Sequence, residues 1–150
     1  PGMGQDAPPV QPEEKSEEEE TEILPDAIAV QFPVDPNARK PYFLNGDAEH
    51  PVNLWQWISR PMEALELNAR GMDKLLAQTK ENQNVTAKVV YRYGSYHLVM
   101  KRKLTTSDVN DIQFNMGQNI PVAFNIWDGS AKETDSQKAI SSWFDLFLEK

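Results

Sequence analysis

Between Trp127 and Trp143 the chain reads WDGSAKETDSQKAISSW, and Lys138 stands where a polar loop gives way to an apolar run. A lysine among polar residues ordinarily stays protonated in solvent. One held between tryptophans at the start of a strand is a candidate for other chemistry, because burial disfavours its charge. Few other side chains compete for a chemical role. His50 sits in a loop bounded by prolines, and His97 lies between Tyr96 and Leu98 in a strand-like run. Both read as solvent-facing, and no HExxH or paired histidine spacing points to zinc. Ser141 and Ser142 have no nucleophile elbow around them. No phosphate-binding glycine loop is present. The chain has no cysteine, which removes disulfides, thiolate nucleophiles, Cys-ligated iron–sulfur clusters and covalent c-type haem. It leaves the redox compartment open. Asn84-Val85-Thr86 matches a glycosylation triplet, a pattern that arises often by chance. No residue is assigned a catalytic role.

The elements that must position Lys138 are short and β-rich. AIAVQFPV (27–34) is an apolar run stopped by Pro33, as a buried strand would be. VNLWQWIS (52–59) alternates, with Asn53, Trp55 and Trp57 on one side and Val52, Leu54 and Ile58 on the other. Residues 85–104 form two β-rich runs around Tyr93-Gly94-Ser95, a hairpin signal. Ile120, Val122, Phe124 and Ile126 share a face of the next run. In AISSWFDLFLE (139–149), Ile140, Ser142, Phe144, Leu146 and Leu148 fall on one face, with Trp143 and Phe147 opposite. Between the strands, Leu65, Ala69, Met72, Leu75 and Leu76 recur at spacings of three and four behind Pro61, which predicts a helix over 61–79. The expected fold is mainly β, an antiparallel β-sandwich with that helical insertion.

Charge divides the chain. Residues 1–26 hold nine acids and one base, leaving 14 acids and 14 bases in 27–150. The Pro/Glu-rich segment buries too little to offset its ordering entropy and reads as a linker or tail. Its acidity argues against nucleic acid as a partner. Residues 27–150 are the single folded domain. No apolar run approaches the ~20 residues of a membrane span. The chain starts on Pro1-Gly2 without a leader pattern, which leaves room for upstream sequence.

Four stretches in order, AIAVQFP, PYFLNGDAEHPVNLWQW, IPVAFNIWDGS and KAISSW, resemble the haem b-binding gamma subunits of ethylbenzene dehydrogenase and dimethylsulfide dehydrogenase. Selenate, chlorate and nitrite oxidoreductases have similar subunits. The resemblance spans about residues 27–150. It implies a β-sandwich that holds one non-covalent haem b and passes electrons between an iron–sulfur subunit and an external carrier such as a cytochrome c. It also implies a molybdenum catalytic subunit and a periplasmic or otherwise extracytoplasmic location.

In that family the haem iron is held by a methionine and a lysine. The lysine position maps onto Lys138, whose pKa must fall from its ordinary ~10.4 for the neutral amine to ligate. The methionine position maps onto Asn45, a departure, since asparagine is a poor haem ligand. Substitutes are His50, in the same loop, and Met62, Met72, Met100 or Met116. Asn53, Trp55, Trp57, Trp127 and Trp143 would line the pocket, with Asp128 in support; for each tryptophan, ordinary sandwich core is an equal reading. A second departure is that the family's first strands are not in this stretch; a sandwich without them would bare a hydrophobic edge, so they are expected upstream or from another segment, with a reduced domain as the alternative. The rival reading is a haem-free β-sandwich module that binds a partner or ligand.

Overall fold

The computed structural model describes residues 2, 23–72 and 75–150. The expected acidic linker therefore lies outside the described residues, except for Gly2 and residues 23–26. Among the described residues nine strands follow in chain order: β1 Ala27–Pro33, β2 Val52–Ile58, β3 Glu63–Ala69, β4 Leu76–Ala77, β5 Thr86–Arg92, β6 Ser95–Lys101, β7 Asn119–Trp127, β8 Ala139–Ile140 and β9 Phe144–Phe147. The main sheet runs β4-β3-β2-β1-β7-β8, with β9 also on β7, while β5 and β6 form a separate ribbon. Every pairing is antiparallel, as the mainly β expectation required.

Among the described residues one expected element is absent. The residues read as a helix over 61–79 instead form β3 and β4, with Leu65, Leu67 and Ala69 paired to Gln56, Leu54 and Val52 of β2. Leu65, Leu67 and Ala69 satisfy a period of two as well as Leu65 and Ala69 satisfy a period near four, and the open edge of β2 decides between them. The backbone also bars a helix. Met62 has φ 61°, in the left-handed region, and Gly71 has φ 145°. Neither value continues a right-handed turn.

The sheet has two covered faces. On the front, Ala27, Ala29, Val52, Leu54, Leu67, Ala69 and Trp127 form one buried cluster, against which Leu75 and Trp143 pack. On the back, Phe32, Ile112, Phe114, Ile120 and Val122 form another, joined by Trp55, Leu146 and Leu148. Because β1 is central, its apolar residues serve both clusters and its pattern is nearly continuous. Full burial of Leu54 alone stabilises by about 1.5–3 kcal/mol. Past β1 the back face carries Phe124, Ile126 and Phe144 in the open.

The last two strands do not share one register. β8 pairs Ile140 with Asn125, whereas β9 pairs Phe144 with Val122, so one extra residue lies between them. This is a β-bulge at Ser141–Trp143. Ser141 fills it: its N–H donates to Phe124 O at 3.0 Å, and its Oγ accepts from Phe124 N at 2.9 Å. The extra residue corrects the expected alternation, since Ile140 now faces the front and Phe144 the back. It also turns Trp143 to the front, where the indole Nε1 donates to Pro41 O at 2.9 Å.

The back face holds a buried charge cluster. Arg102 Nη1 lies 3.5 Å from Glu66 Oε2 and 3.8 Å from Asp111 Oδ2, and none of the three side chains reaches solvent. The guanidinium lies over the Trp55 ring at 4.9 Å and donates to Asn53 Oδ1 at 3.3 Å.

Candidate functional site

Lys138 is held by what surrounds it on the front face. The preceding loop begins at Asp128, whose Oδ1 accepts from Ser130 N at 2.9 Å and caps the short turn Gly129–Ala131. Gly129 is required there, because a Cβ would stand 1.9 Å from Leu24 O. Its N–H donates to Asp26 Oδ1 at 2.9 Å, tying the loop to the start of β1. The loop then closes over Trp127, whose Nε1 donates to Asp135 O at 3.1 Å. Lys138 follows three residues later with its Nζ 4.8 Å from the centre of the Trp127 ring.

The amine meets Asn45. Lys138 Nζ donates directly to Asn45 Oδ1, so two residues 93 apart in sequence touch. Asn45 is fully buried and has φ 62°, a left-handed conformation that asparagine tolerates better than most residues. Its Nδ2 donates to Ser136 Oγ at 3.3 Å, and Ser136 Oγ donates in turn to Met72 O. Gly71 N donates to Asn45 O at 2.9 Å. Three loops thus converge over the front face: the one before β2, the one after β3 and the one before β8.

Burial lowers the Lys138 pKa to about 8, against a smaller opposing pull from the negative charge of Asp135. At that value about a tenth of the amine is neutral near pH 7, against well under a thousandth at the ordinary value. The loop and tryptophan context therefore makes a nitrogen donor available at neutral pH.

The floor beneath is unusually small and incompletely satisfied. Ala27, Ala29 and Ala69 are buried there beside Leu54 and Leu67. Asn125, on the same face by its pairing with Ile140, has both side-chain polar atoms buried with no partner, and Gln31 Oε1 is likewise unpaired. Buried polar atoms are rarely left so without a ligand or water to meet them. A pocket of about 290 Å³ opens beside Trp127, between Ala27, Leu67, Leu75, Ala77 and Asp135. The sequence carried a signal for both orphans, since Gln31 and Asn125 interrupt strands whose other inward positions are apolar.

The remaining sequence candidates divide between the faces. Trp127 and Trp143 join Lys138 and Asn45 on the front. Asn53, Trp55 and Trp57 do not, for they point to the back. Asn53 serves the Arg102 cluster, accepting also from Ile112 N at 3.2 Å. Trp55 packs on Phe32 and Phe114, at 5.0 and 5.7 Å. Trp57 meets Tyr96 of the ribbon at 5.1 Å and lines a larger pocket of about 490 Å³. His50 is engaged elsewhere, its Nδ1 2.9 Å from Asp47 Oδ1 and 3.1 Å from Arg39 Nη2. Of the methionines named as substitutes, Met72 is the one tied to Asn45, through its backbone and Ser136. Among the described residues, no three His, Asp or Glu side chains converge on a metal-sized site.

Residues 67–139 match the family model described as ethylbenzene dehydrogenase. A protein of Haloferax mediterranei named for a respiratory nitrate reductase heme subunit is 37% identical over 120 residues, covering 79% of this chain and 42% of that protein. The dimethylsulfide dehydrogenase subunit gamma of Rhodovulum sulfidophilum is 30% identical over 122 residues, 77% of this chain and 44% of its own. The chlorate reductase subunit gamma of Ideonella dechloratans is 26% identical over 128 residues, 85% and 52% of the two chains. The chain spans about half the length of the curated relatives it matches.

Proposed function

From a chain that is a relative of the ethylbenzene dehydrogenase-type gamma subunits, we propose an electron-transfer subunit that holds a non-covalent haem b against the front face of its sheet. The observation that carries this reading is the Lys138 amine. It is half-buried, partly neutral at physiological pH, and bonded to Asn45, the residue onto which the resemblance maps the family's methionine.

The residues fit a haem on one side. An amine with a lowered pKa is a competent iron ligand, and the lack of cysteine removes thioether attachment by this chain. Trp127 and Trp143 would wall the group, and Asn125 and Gln31 would offer polar atoms to its edge. Asn45 fits less well, because a side-chain amide is not among the usual axial donors. When bound, the haem supplies a one-electron iron centre. The chain's own part is to lower the Lys138 pKa so that a share of the amine is neutral, fix its direction through the Trp127 contact and the Asn45 hydrogen bond, and keep water from the donor.

The relatives are named for a nitrate reductase heme subunit and for the gamma subunits of a dimethylsulfide dehydrogenase and a chlorate reductase. We read this chain as a member of a comparable assembly, with an iron–sulfur subunit and a molybdenum catalytic subunit on one side and an external carrier such as a cytochrome c on the other. The location that goes with this is periplasmic or otherwise extracytoplasmic. No described helix is long and apolar enough to cross a membrane.

The test is to supply haem during expression, purify the chain and record oxidised and reduced spectra. A Soret band that shifts on reduction, and loses its low-spin character in Lys138→Ala, supports the assignment. A second reading, a haem-free β module, is favoured by the direct Lys138–Asn45 contact, which closes the two ligand positions on each other. Colourless protein after haem supply would select that reading.

A further inference from the structure

The ribbon of β5 and β6 has one face against the sheet and one in solvent. Its register puts Ala87, Val89, Tyr91, Tyr96, Leu98 and Met100 on the inner side. The outer side carries Lys88, Val90, Arg92, His97, Val99 and Lys101, all exposed, with no acid among them. Residues 85–104 contain no aspartate or glutamate anywhere, and the charges of 27–150 balance only because the five bases of this stretch are counted in them. A basic, part-apolar face of this kind has a natural counterpart in an extended acidic polypeptide, which meets the cations and the exposed valines together.

That counterpart is in the same chain. Residues 3–22 hold eight acids and one base, with Glu17–Glu20 consecutive. The segment enters the fold beside the ribbon, because Ile23, Leu24 and Asp26 line one pocket with Val89, Tyr91 and Tyr96. The entry is fastened there as well. Tyr96 Oη donates to Asp26 Oδ2 at 3.2 Å, while Asp26 Oδ1 accepts from Gly129 N. From Leu24 back to Glu17 the chain reaches about 23 Å when extended, and seven residues of strand span about the same. The acidic run is therefore long enough to lie along the ribbon from the point where it leaves.

We propose that residues 3–22 dock through their glutamates on the outer face of the β5–β6 ribbon, at Lys88, Arg92 and Lys101. Single exposed ion pairs contribute little. Several in parallel, on a tether that holds the partner at about millimolar effective concentration, are enough for an occupied intramolecular contact at low salt. Docked there, the segment shields the ribbon from other acidic surfaces, and any acidic partner that reaches the ribbon must displace it.

The experiment uses the full chain. Zero-length carbodiimide coupling joins carboxylates to lysines in direct contact. In dilute buffer, Glu17–Glu22 should couple to Lys88 and Lys101 within one molecule, and high salt should abolish those products. Mixing isotope-labelled with unlabelled chain separates coupling within a molecule from coupling between copies. A second measurement follows the backbone amide resonances of β5 and β6. Replacing Glu17, Glu18, Glu19 and Glu20 by Gln should move them to the positions that high salt produces in the native chain. Coupling spread evenly over Lys40, Lys132 and Lys150, coupling only between copies, or ribbon resonances indifferent to the Gln variant would each overturn the proposal.

Discussion

Lys138 and Asn45, 93 residues apart, meet on the front face through a direct hydrogen bond from the lysine Nζ to the asparagine Oδ1. The pair joins the loop before β2 to the loop before β8. Both residues reach it from β1–β2 and β7–β8 connections that the sheet brings side by side, because β1 pairs with β2 on one edge and with β7 on the other. A gap of sequence is thus closed by two strand pairings.

Asn45→Met replaces the amide with a thioether at the position facing Lys138. If the proposed haem sits between them, ferric protein should gain a sulfur-to-iron charge-transfer band that the native chain lacks. The left-handed backbone at this residue makes the change destabilising by about 1–3 kcal/mol. A haem spectrum identical to the native one would remove residue 45 from the iron's surroundings.

The Lys138 amine should titrate with a midpoint about 8, since burial lowers it. The direction sets its effect on stability. The unfolded chain keeps this proton up to the ordinary lysine range, so below pH 8 folding carries the cost of a buried charge. That cost is relieved as pH rises from the folded value toward 10.5. Selective ¹⁵N labelling of the lysine side chains, followed by NMR titration, reads the midpoint directly; a value near 10.5 would mean that the amine is solvated.

How far the sequence announced this site can be argued residue by residue. The strands around Lys138 were legible, because AIAVQFP, VNLWQWI and NIPVAFNIW each carry an apolar pattern bounded by turn residues. Lys138 and the Asn45 departure were legible through the wording of their flanks. The front–back split was legible only in part. Alternation separates Trp55 and Trp57 from Leu54, but nothing local says that Trp127 shares the side of Leu54. The bulge at Ser141–Trp143 was not legible, since a strict period of two runs through AISSWF without interruption and only the partner strand reveals the extra residue. The third strand was misassigned for a similar reason: its partner, not its own spacing, settles its state.

The bulge has a testable role. Trp143→Ala removes the indole that the bulge turns to the front, and with it the bond to Pro41 O and the packing on the front cluster. The expected loss exceeds that of Trp143→Phe, which keeps an aromatic ring and forfeits only the hydrogen bond, about 1 kcal/mol. Urea unfolding of the two variants gives the comparison. Equal losses would show that the ring of residue 143 adds nothing to the front cluster.

The Arg102 cluster predicts a pH dependence of opposite sign to that of Lys138. Burial raises the Glu66 carboxyl above its ordinary value, the negative charge of Asp111 raises it further, and Arg102 pulls it back. Two carboxylates share one guanidinium, and Asp111 is the better satisfied. Its Oδ1 accepts from Gln78 Nε2 and its Oδ2 from Thr106 Oγ1, both at 2.6 Å. Glu66 Oε2 has no hydrogen-bond donor. A raised carboxyl pKa means that the folded chain holds a proton which the unfolded chain has released. The stability this gives is complete below the ordinary value of 4.5 and is lost as pH climbs through the folded value. Glu66→Gln keeps a neutral group of the same shape and removes that loss. Its stability relative to the native chain should therefore grow as pH rises from the acid side toward neutrality. Arg102→Met should do the reverse, costing about 3–5 kcal/mol at neutral pH by leaving the acids without their cation. Combining it with Glu66→Gln should recover part of the loss. Native and Glu66→Gln unfolding curves that stay parallel across the acid-to-neutral range would show that Glu66 is already ionised in the fold.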